Sequence, residues 1–243
     1  MSGILRRHDH ETVPATATWS WWGAVAVLLV AYATGHLIRL LLLNAQTSPT
    51  GLVALRALAE LIWIGVVAAW LGLRRTGWAA AFGRPARAWP EVRDGAVFGW
   101  ILYGVTALCV ALPVSWLMGL ALDRDVVLRK VFPPELSAGG WLLAAALALV
   151  VAPAAEELLF RGVLFPALRD RFGLVTGVAG SAAAFGLAHY LPGDPVDVVA
   201  TIAAATALGV GLAIQYERRG TLVAPLSAHI AFNLLGLAIF VRP

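Results

Sequence analysis

Three features of the chain point to an all-α fold, a polytopic membrane helical bundle of about seven transmembrane helices. Sixty per cent of the 243 residues are apolar and 13% are charged, whereas a soluble domain is about half apolar and a quarter charged. Mean hydropathy is +0.81. The apolar residues also fall in runs of about 20 or more, the length a helix needs to cross a bilayer. These features exclude an ordinary cytosolic enzyme, a disordered chain and a disulfide scaffold. Cys109 is the single cysteine, so it has no internal partner and cannot build a cysteine metal cluster. The net charge of +4 is small and the arginines are dispersed, so no nucleic-acid partner is expected. About seven crossings leave no room for a soluble domain. The chain is read as a single membrane domain, 1–243, with N-terminal helices in 1–137 and a core in 138–241.

The expected spans are 19–43, 52–73, 95–122, 138–168, 172–191, 196–215 and 221–241. The first 18 residues are polar and carry Arg6 and Arg7. The apolar run after them outlasts a signal-peptide core and ends without a small-residue cleavage site, so it is read as a retained first helix. Trp19, Trp21, Trp22, Trp78, Trp89 and Trp141 fall near proposed span ends and are expected in aromatic belts. Arg6 and Arg7 precede span 1, and Arg74, Arg75, Arg84, Arg87 and Arg93 follow span 2. Arg169 and Arg171 follow span 4, and Arg218 and Arg219 follow span 6. The opposite side holds only Arg124, Arg129, Lys130 and Arg242. The positive-inside rule then places the N-terminus in the cytoplasm and the C-terminus outside. Segment 124–137 is expected to be an external loop or to lie in the interface. Seventeen of the eighteen basic residues are arginine. With many Ala, Gly, Leu and Val, that bias points to a GC-rich bacterial genome and hence a bacterial plasma membrane.

Charges inside a bilayer are costly, and each requires a reason. His36, Arg39, Arg56 and Glu60 form the weaker group. Arg39 and Arg56 lie near span ends and can snorkel. Arg56 and Glu60 are four apart and are read as an ion pair.

Span 4 is different: Glu156 and Glu157 are adjacent, and Arg161 follows. Neighbouring helical residues point about 100° apart, so the two acids cannot do one job. Glu157 and Arg161 are four apart in the favourable order for an ion pair. Glu156 is left without a local cation, free to accept a proton. Span 5 ends with Phe185 and His189 on one face. Glu156 lies about 16 residues before the turn near Arg171–Gly173, and His189 about 16 after it. At 1.5 Å per residue the two arms match at about 24 Å, so an antiparallel hairpin brings the pair to one level. Gly177, Gly180, Gly186 and Ser181 would let the two helices approach closely. This reading takes both arms as continuous helices, with Pro166 a place where the first can kink. Span 7 carries His229 and Asn233 four apart, donors suited to a developing oxyanion.

Taken together, Glu156-Glu157 with Arg161, Phe185 with His189, and His229 with Asn233 resemble the CAAX protease and bacteriocin-processing (Abi, type II CAAX prenyl endopeptidase) family. The resemblance covers roughly 140–241. It implies an intramembrane glutamic-type endopeptidase, in which Glu156 and His189 activate water and His229 and Asn233 hold the oxyanion. Glu157, Arg161 and Phe185 would support the site. It implies no cofactor, and this chain lacks the zinc signature His-Glu-x-x-His. A metal held by Glu156, His189 and His229 stays open as an alternative. The expected partners are the lipid bilayer and a membrane-associated peptide or protein tail. Three forms of that tail stay open: a prenylated tail, a bacteriocin leader and a C-terminal sorting tag. Oligomeric state is not legible. Two other readings remain: a non-catalytic peptide-binding immunity or scaffold protein on the same fold, and a small transporter with a proton relay. No paired inverted repeat or broken half-helix supports the transporter.

Overall fold

The computed structural model describes residues 17–44, 47–83, 88–117, 135–190 and 193–240. Arg6, Arg7, Arg84, Arg87, Arg124, Arg129, Lys130 and Arg242 lie outside the described residues, as does most of the 124–137 loop. Every named element is helical. Trp21–Leu42 (α1) starts where Ser20 Oγ accepts from the Gly23 amide. Pro49–Leu73 (α2) starts in the same way at Ser48, with Pro49 in its first turn, where a missing N–H costs nothing. A single turn, Ala79–Phe82 (α3), follows. The next rod (α4) joins Ala88–Thr106, a π-helical turn at Ala107–Ala111, and Leu112–Leu117.

The central helix, Ala138–Phe172 (α5), contains two π-helical turns, Leu147–Val151 and Leu158–Leu164. Gly173, at φ +84°, turns the chain into Leu174–Ala188 (α6). Asp194 caps Pro195–Arg219 (α7), and Gly220 in the left-handed region ends it. The last helix is Val223–Phe240 (α8).

Five of these stretches are long and apolar enough to cross a membrane: Trp21–Leu42, Pro49–Leu73, Ala88–Val114, Ala138–Phe172 and Pro195–Arg219. The other two expected crossings, Leu174–Ala188 and Val223–Ile239, are apolar but shorter. Fifteen residues in α6 rise only about 22 Å, short of a hydrocarbon core of about 30 Å. The protein is thus a multi-pass helical bundle with five helices long and apolar enough to cross a membrane and two shorter apolar ones among the described residues.

Helix α5 sits in the middle and touches α1, α2, α6, α7 and α8. Helices α1 and α2 form an antiparallel pair, with Gly35 against Ala59 and Trp63 and Gly23 against Trp70. Helices α4 and α8 run parallel: Gly95 meets Ala224, and Gly99 meets Ala228. The Gly177 face of α6 meets Arg169 of α5, and Gly180 meets Leu168, closing the expected hairpin. Gly186 does not face α5. It faces α7, where a Cβ would overlap Thr206 Oγ1. The hairpin therefore needs only its first two glycines.

Trp19 also departs from expectation. It is 6% exposed, and its indole Nε1 donates to the Val163 carbonyl at 3.0 Å. That carbonyl lies in the second π turn, where widening takes carbonyls out of the α-helical ladder. Trp22, Trp78 and Trp89 are exposed, as belt residues are.

Ion pairs and hydrogen bonds tie one end of the bundle together. Asp170 at the end of α5 accepts from the Ala17 amide, Arg169 bonds Glu217 of α7, and Arg219 bonds Asp94 of α4.

At the α4–α8 contact, any side chain on Gly99 meets the Ala228 carbonyl oxygen. Gly99→Val is expected to lower stability by about 1–3 kcal/mol. A fall in the thermal midpoint of the detergent-solubilised chain, absent for Gly104→Val in open space, checks this.

Candidate active site

Glu156 and Glu157 end the α-helical segment Ala152–Glu157, and the second π turn begins at Leu158. π turns inside helices are frequent at functional sites. The two acids make different contacts and share one neighbour, His229, which Glu157 meets at Nδ1 and Glu156 faces at Nε2. Glu157 Oε1 accepts from Arg161 Nη1 at 2.9 Å and from His229 Nδ1 at 2.9 Å. Arg161 Nη2 reaches on to the Gly209 carbonyl of α7 at 3.1 Å. This chain joins α5, α7 and α8 in the interior. Arg161 is 0% exposed and Glu157 1%, so the pair has no solvent to fall back on.

Glu156 faces the two histidines. Its Oε1 lies 3.9 Å from His189 Nε2, and its Oε2 lies 3.6 Å from His229 Nε2. Both gaps exceed a direct hydrogen bond. His189 follows the last residue of α6, and its Nδ1 lies 2.8 Å from the Phe185 carbonyl. A carbonyl oxygen only accepts, so Nδ1 carries the hydrogen there. The same holds for His229 Nδ1 against the Glu157 carboxylate. In their neutral forms both imidazoles therefore turn a bare Nε2 lone pair toward Glu156. Three acceptors, two nitrogens and a carboxylate, meet around one space. A molecule that offers hydrogens fits there; an anion does not.

Phe185 is the apolar floor of this cluster. Its ring lies 4.3 Å from the Arg161 guanidinium carbon, a cation–π distance. It also stands edge-on to His229 at 5.8 Å and to Phe160 at 5.2 Å, and lies 4.6 Å from His189. Asn233 Nδ2 donates to the Ala148 carbonyl at 2.8 Å. Ala148 belongs to the first π turn of α5, so Asn233 satisfies a carbonyl outside the α-helical ladder. An amide nitrogen has two hydrogens, and this bond uses one.

Arg56 interacts electrostatically with Glu60, but no close salt bridge joins the two expected partners among the described residues. Glu60 is 6% exposed, and its Oε2 takes no hydrogen bond from Arg56 or any other described residue. It faces the core because α2 packs against α5 at this level. Spacing alone favoured the pair, and only the tertiary packing directs Glu60 inward. Among the described residues, no group of three His, Cys, Asp or Glu side chains is arranged to hold a metal ion.

Residues 138–235 match the family model described as "Type II CAAX prenyl endopeptidase Rce1-like". The match covers well under half of the chain. It contains all the clustered residues and falls inside the 138–241 core expected from the sequence, and α1–α4 lie outside it. No curated protein matches the chain, and no solved structure does.

Removing one partner of a buried ion pair leaves a lone charge in low dielectric, at a cost of about 3–5 kcal/mol. Arg161→Ala and Glu157→Ala are each expected to destabilise the bundle by that amount. Removing both is expected to cost less than the sum. Denaturation of the two single variants and the double variant, compared in one detergent, measures the coupling.

Proposed function

We propose that this chain is an intramembrane glutamic-type endopeptidase, which hydrolyses a peptide bond in a membrane-associated peptide or protein tail. The observation that carries the reading is the Glu156 carboxylate flanked by His189 Nε2 at 3.9 Å and His229 Nε2 at 3.6 Å. The family match over the same segment supports it. It supplies the word endopeptidase for a site that geometry alone would call a proton-transfer site.

Hydrolysis of an amide needs a base for the attacking water, donors for the oxyanion and a proton for the leaving amine. In this reading one water lies between Glu156 and His189, within bridging reach of both. Glu156 takes a proton from this water, which His189 holds in place, as the water oxygen attacks the carbonyl carbon, and relays that proton to His229 Nε2, 3.6 Å from its other oxygen. The tetrahedral oxyanion takes a hydrogen bond from the spare Asn233 amide hydrogen and from His229 once its Nε2 is protonated. Glu157, hydrogen-bonded to Arg161, stays on Nδ1 of that ring through the step. As the C–N bond breaks, the proton taken from the water passes to the amine. The surrounding helices exclude bulk solvent, which strengthens each of these interactions. No step needs a metal.

The arginine-rich helix ends, paired at one end of the bundle, are assigned to the cytoplasmic face of a bacterial plasma membrane. The substrate class is a tail that reaches the site through lipid. A prenylated tail is the form named by the matched family.

Cleavage of a quenched fluorescent, S-farnesylated CAAX-type peptide by the purified chain in liposomes tests the reading. Glu156→Gln and His189→Ala are expected to lower the rate by about 10²–10⁴-fold. Asn233→Ala is expected to lower it by about 10²–10³-fold. All three should keep the wild-type thermal midpoint to within a few degrees. Full activity in Glu156→Gln would overturn the mechanism. Undiminished cleavage after exhaustive chelation is the expected result for metal content, and its loss with rescue by zinc would replace the mechanism.

A further inference from the structure

The described residues hold a second group of buried polar atoms that the Glu156 cluster does not use. It lies on α1 and α2, outside the matched segment. Tyr32 Oη, Glu60 Oε2 and Trp63 Nε1 are buried and lack a hydrogen-bond partner among the described residues. Glu60 is 6% exposed and Trp63 8%. Glu60 and Trp63 are three apart and share a helix face. The Tyr32 and Trp63 rings lie 4.6 Å apart. Helix α2 packs directly on the segment that carries Glu156. Tyr32 and Glu60 lie within electrostatic reach of Glu156 and also of Arg56, one turn before Glu60.

Each unpartnered buried polar group costs about 1–3 kcal/mol, and three on one helix pair, of which Trp63 Nε1 lies beside Gly35 of α1 and α2 packs on the Glu156 segment, point to a ligand that completes them. The chemistry of the three narrows its class. Tyr32 O–H and Trp63 N–H donate; the Glu60 carboxyl oxygen accepts. A lipid tail would use none of them. An anion would be repelled by Glu60 and Glu156. A simple cation would leave the indole N–H unused. An extended peptide backbone offers both carbonyl acceptors and N–H donors. A backbone unwound for cleavage inside a membrane has lost its own hydrogen bonds, and every N–H and C=O must find a new partner.

We propose that Tyr32, Glu60 and Trp63 form a receptor for the unwound substrate backbone beside the scissile bond. Glu60 accepts from a substrate N–H, and Tyr32 and Trp63 donate to substrate carbonyls. This rests on the protease reading of the Glu156 cluster. It assigns the N-terminal helices, which carry no part of the family match, the task of aligning the chain to be cut.

The test measures binding without turnover, in the Glu156→Gln chain reconstituted in nanodiscs. The probe is an S-farnesylated CAAX-type peptide, with a series in which one amide at a time is replaced by an ester, deleting that N–H. One ester is expected to bind about tenfold more weakly than the parent. Adding Glu60→Ala is expected to weaken the parent peptide about tenfold and to erase the difference between that ester and the amide. Trp63→Phe and Tyr32→Phe keep the rings and remove one donor each. They are expected to weaken the parent several-fold with no change in thermal midpoint, so the proposal survives a poorly folding Glu60 variant.

Equal discrimination between amide and ester with and without Glu60, and parent-like binding by both Phe variants, would overturn the receptor. No measurable binding of the parent peptide or of its S-palmitoylated counterpart would also count against it. The two readings fail separately. Coupling to Glu60 without any cleavage by the wild-type chain sinks the protease and leaves the receptor. Cleavage without coupling does the reverse.

Discussion

A single carboxylate oxygen organises the interior. Glu157 Oε1 takes hydrogen bonds from both Arg161 and His229, each at 2.9 Å. An ionised acid this deeply buried is tolerable only if its charge is matched and its lone pairs are used. Arg161 supplies the charge and ties the pair to the Gly209 carbonyl. The ring of Phe185 lies close to the guanidinium. Fixing Nδ1 of His229 has a consequence one atom away in the ring: Nε2 is aimed at Glu156. The adjacent acid thus acquires its geometry from its neighbour's ion pair.

The backbone of α5 contributes through its two π turns. One closes just before Ala152, and the other opens just after Glu157. A π turn inserts a residue and takes a carbonyl out of the regular ladder. Carbonyls of both turns are met by side chains from distant helices or their flanks: Asn233 binds Ala148, and Trp19 binds Val163. The irregular helix is therefore held by packing from both ends of the chain.

Much of this was readable from spacing. The hairpin arithmetic brought Glu156 and His189 to one level, and the four-residue separation of Glu157 and Arg161 predicted their pair. These are local or near-local relations, in which helical geometry dictates the outcome. The failures were of another kind. Trp19 carries the composition of a belt residue, and nothing nearby in sequence announces the Val163 carbonyl it binds. Gly186 looked like part of the α5–α6 contact because its spacing from Gly177 and Gly180 is silent about which neighbour each faces. Glu60 looked paired because Arg56 is one turn away, whereas α2 turns it toward α5. The π turns left no mark in the apolar pattern. Two prolines of α5 do flank them: Pro153 falls just after the first and Pro166 just after the second.

The state of the two histidines follows from where their Nδ1 atoms are tied. Each Nδ1 meets an oxygen that can only accept, so each neutral ring offers a lone pair at Nε2. Before reaction the site is thus a cluster of acceptors suited to a hydrogen-rich nucleophile. Once a proton has been taken from that nucleophile, a histidine that receives it becomes a donor at the same position. In His229 the other ring nitrogen, Nδ1, is in contact with Glu157. The site then presents a hydrogen where negative charge develops on the carbonyl oxygen. A group that accepts early and donates late stabilises the transition state more than the ground state, the condition a catalytic interaction must meet. In the proposed mechanism Glu157 would in this way be as necessary as Glu156. The two acids must therefore be adjacent in sequence and divergent in direction.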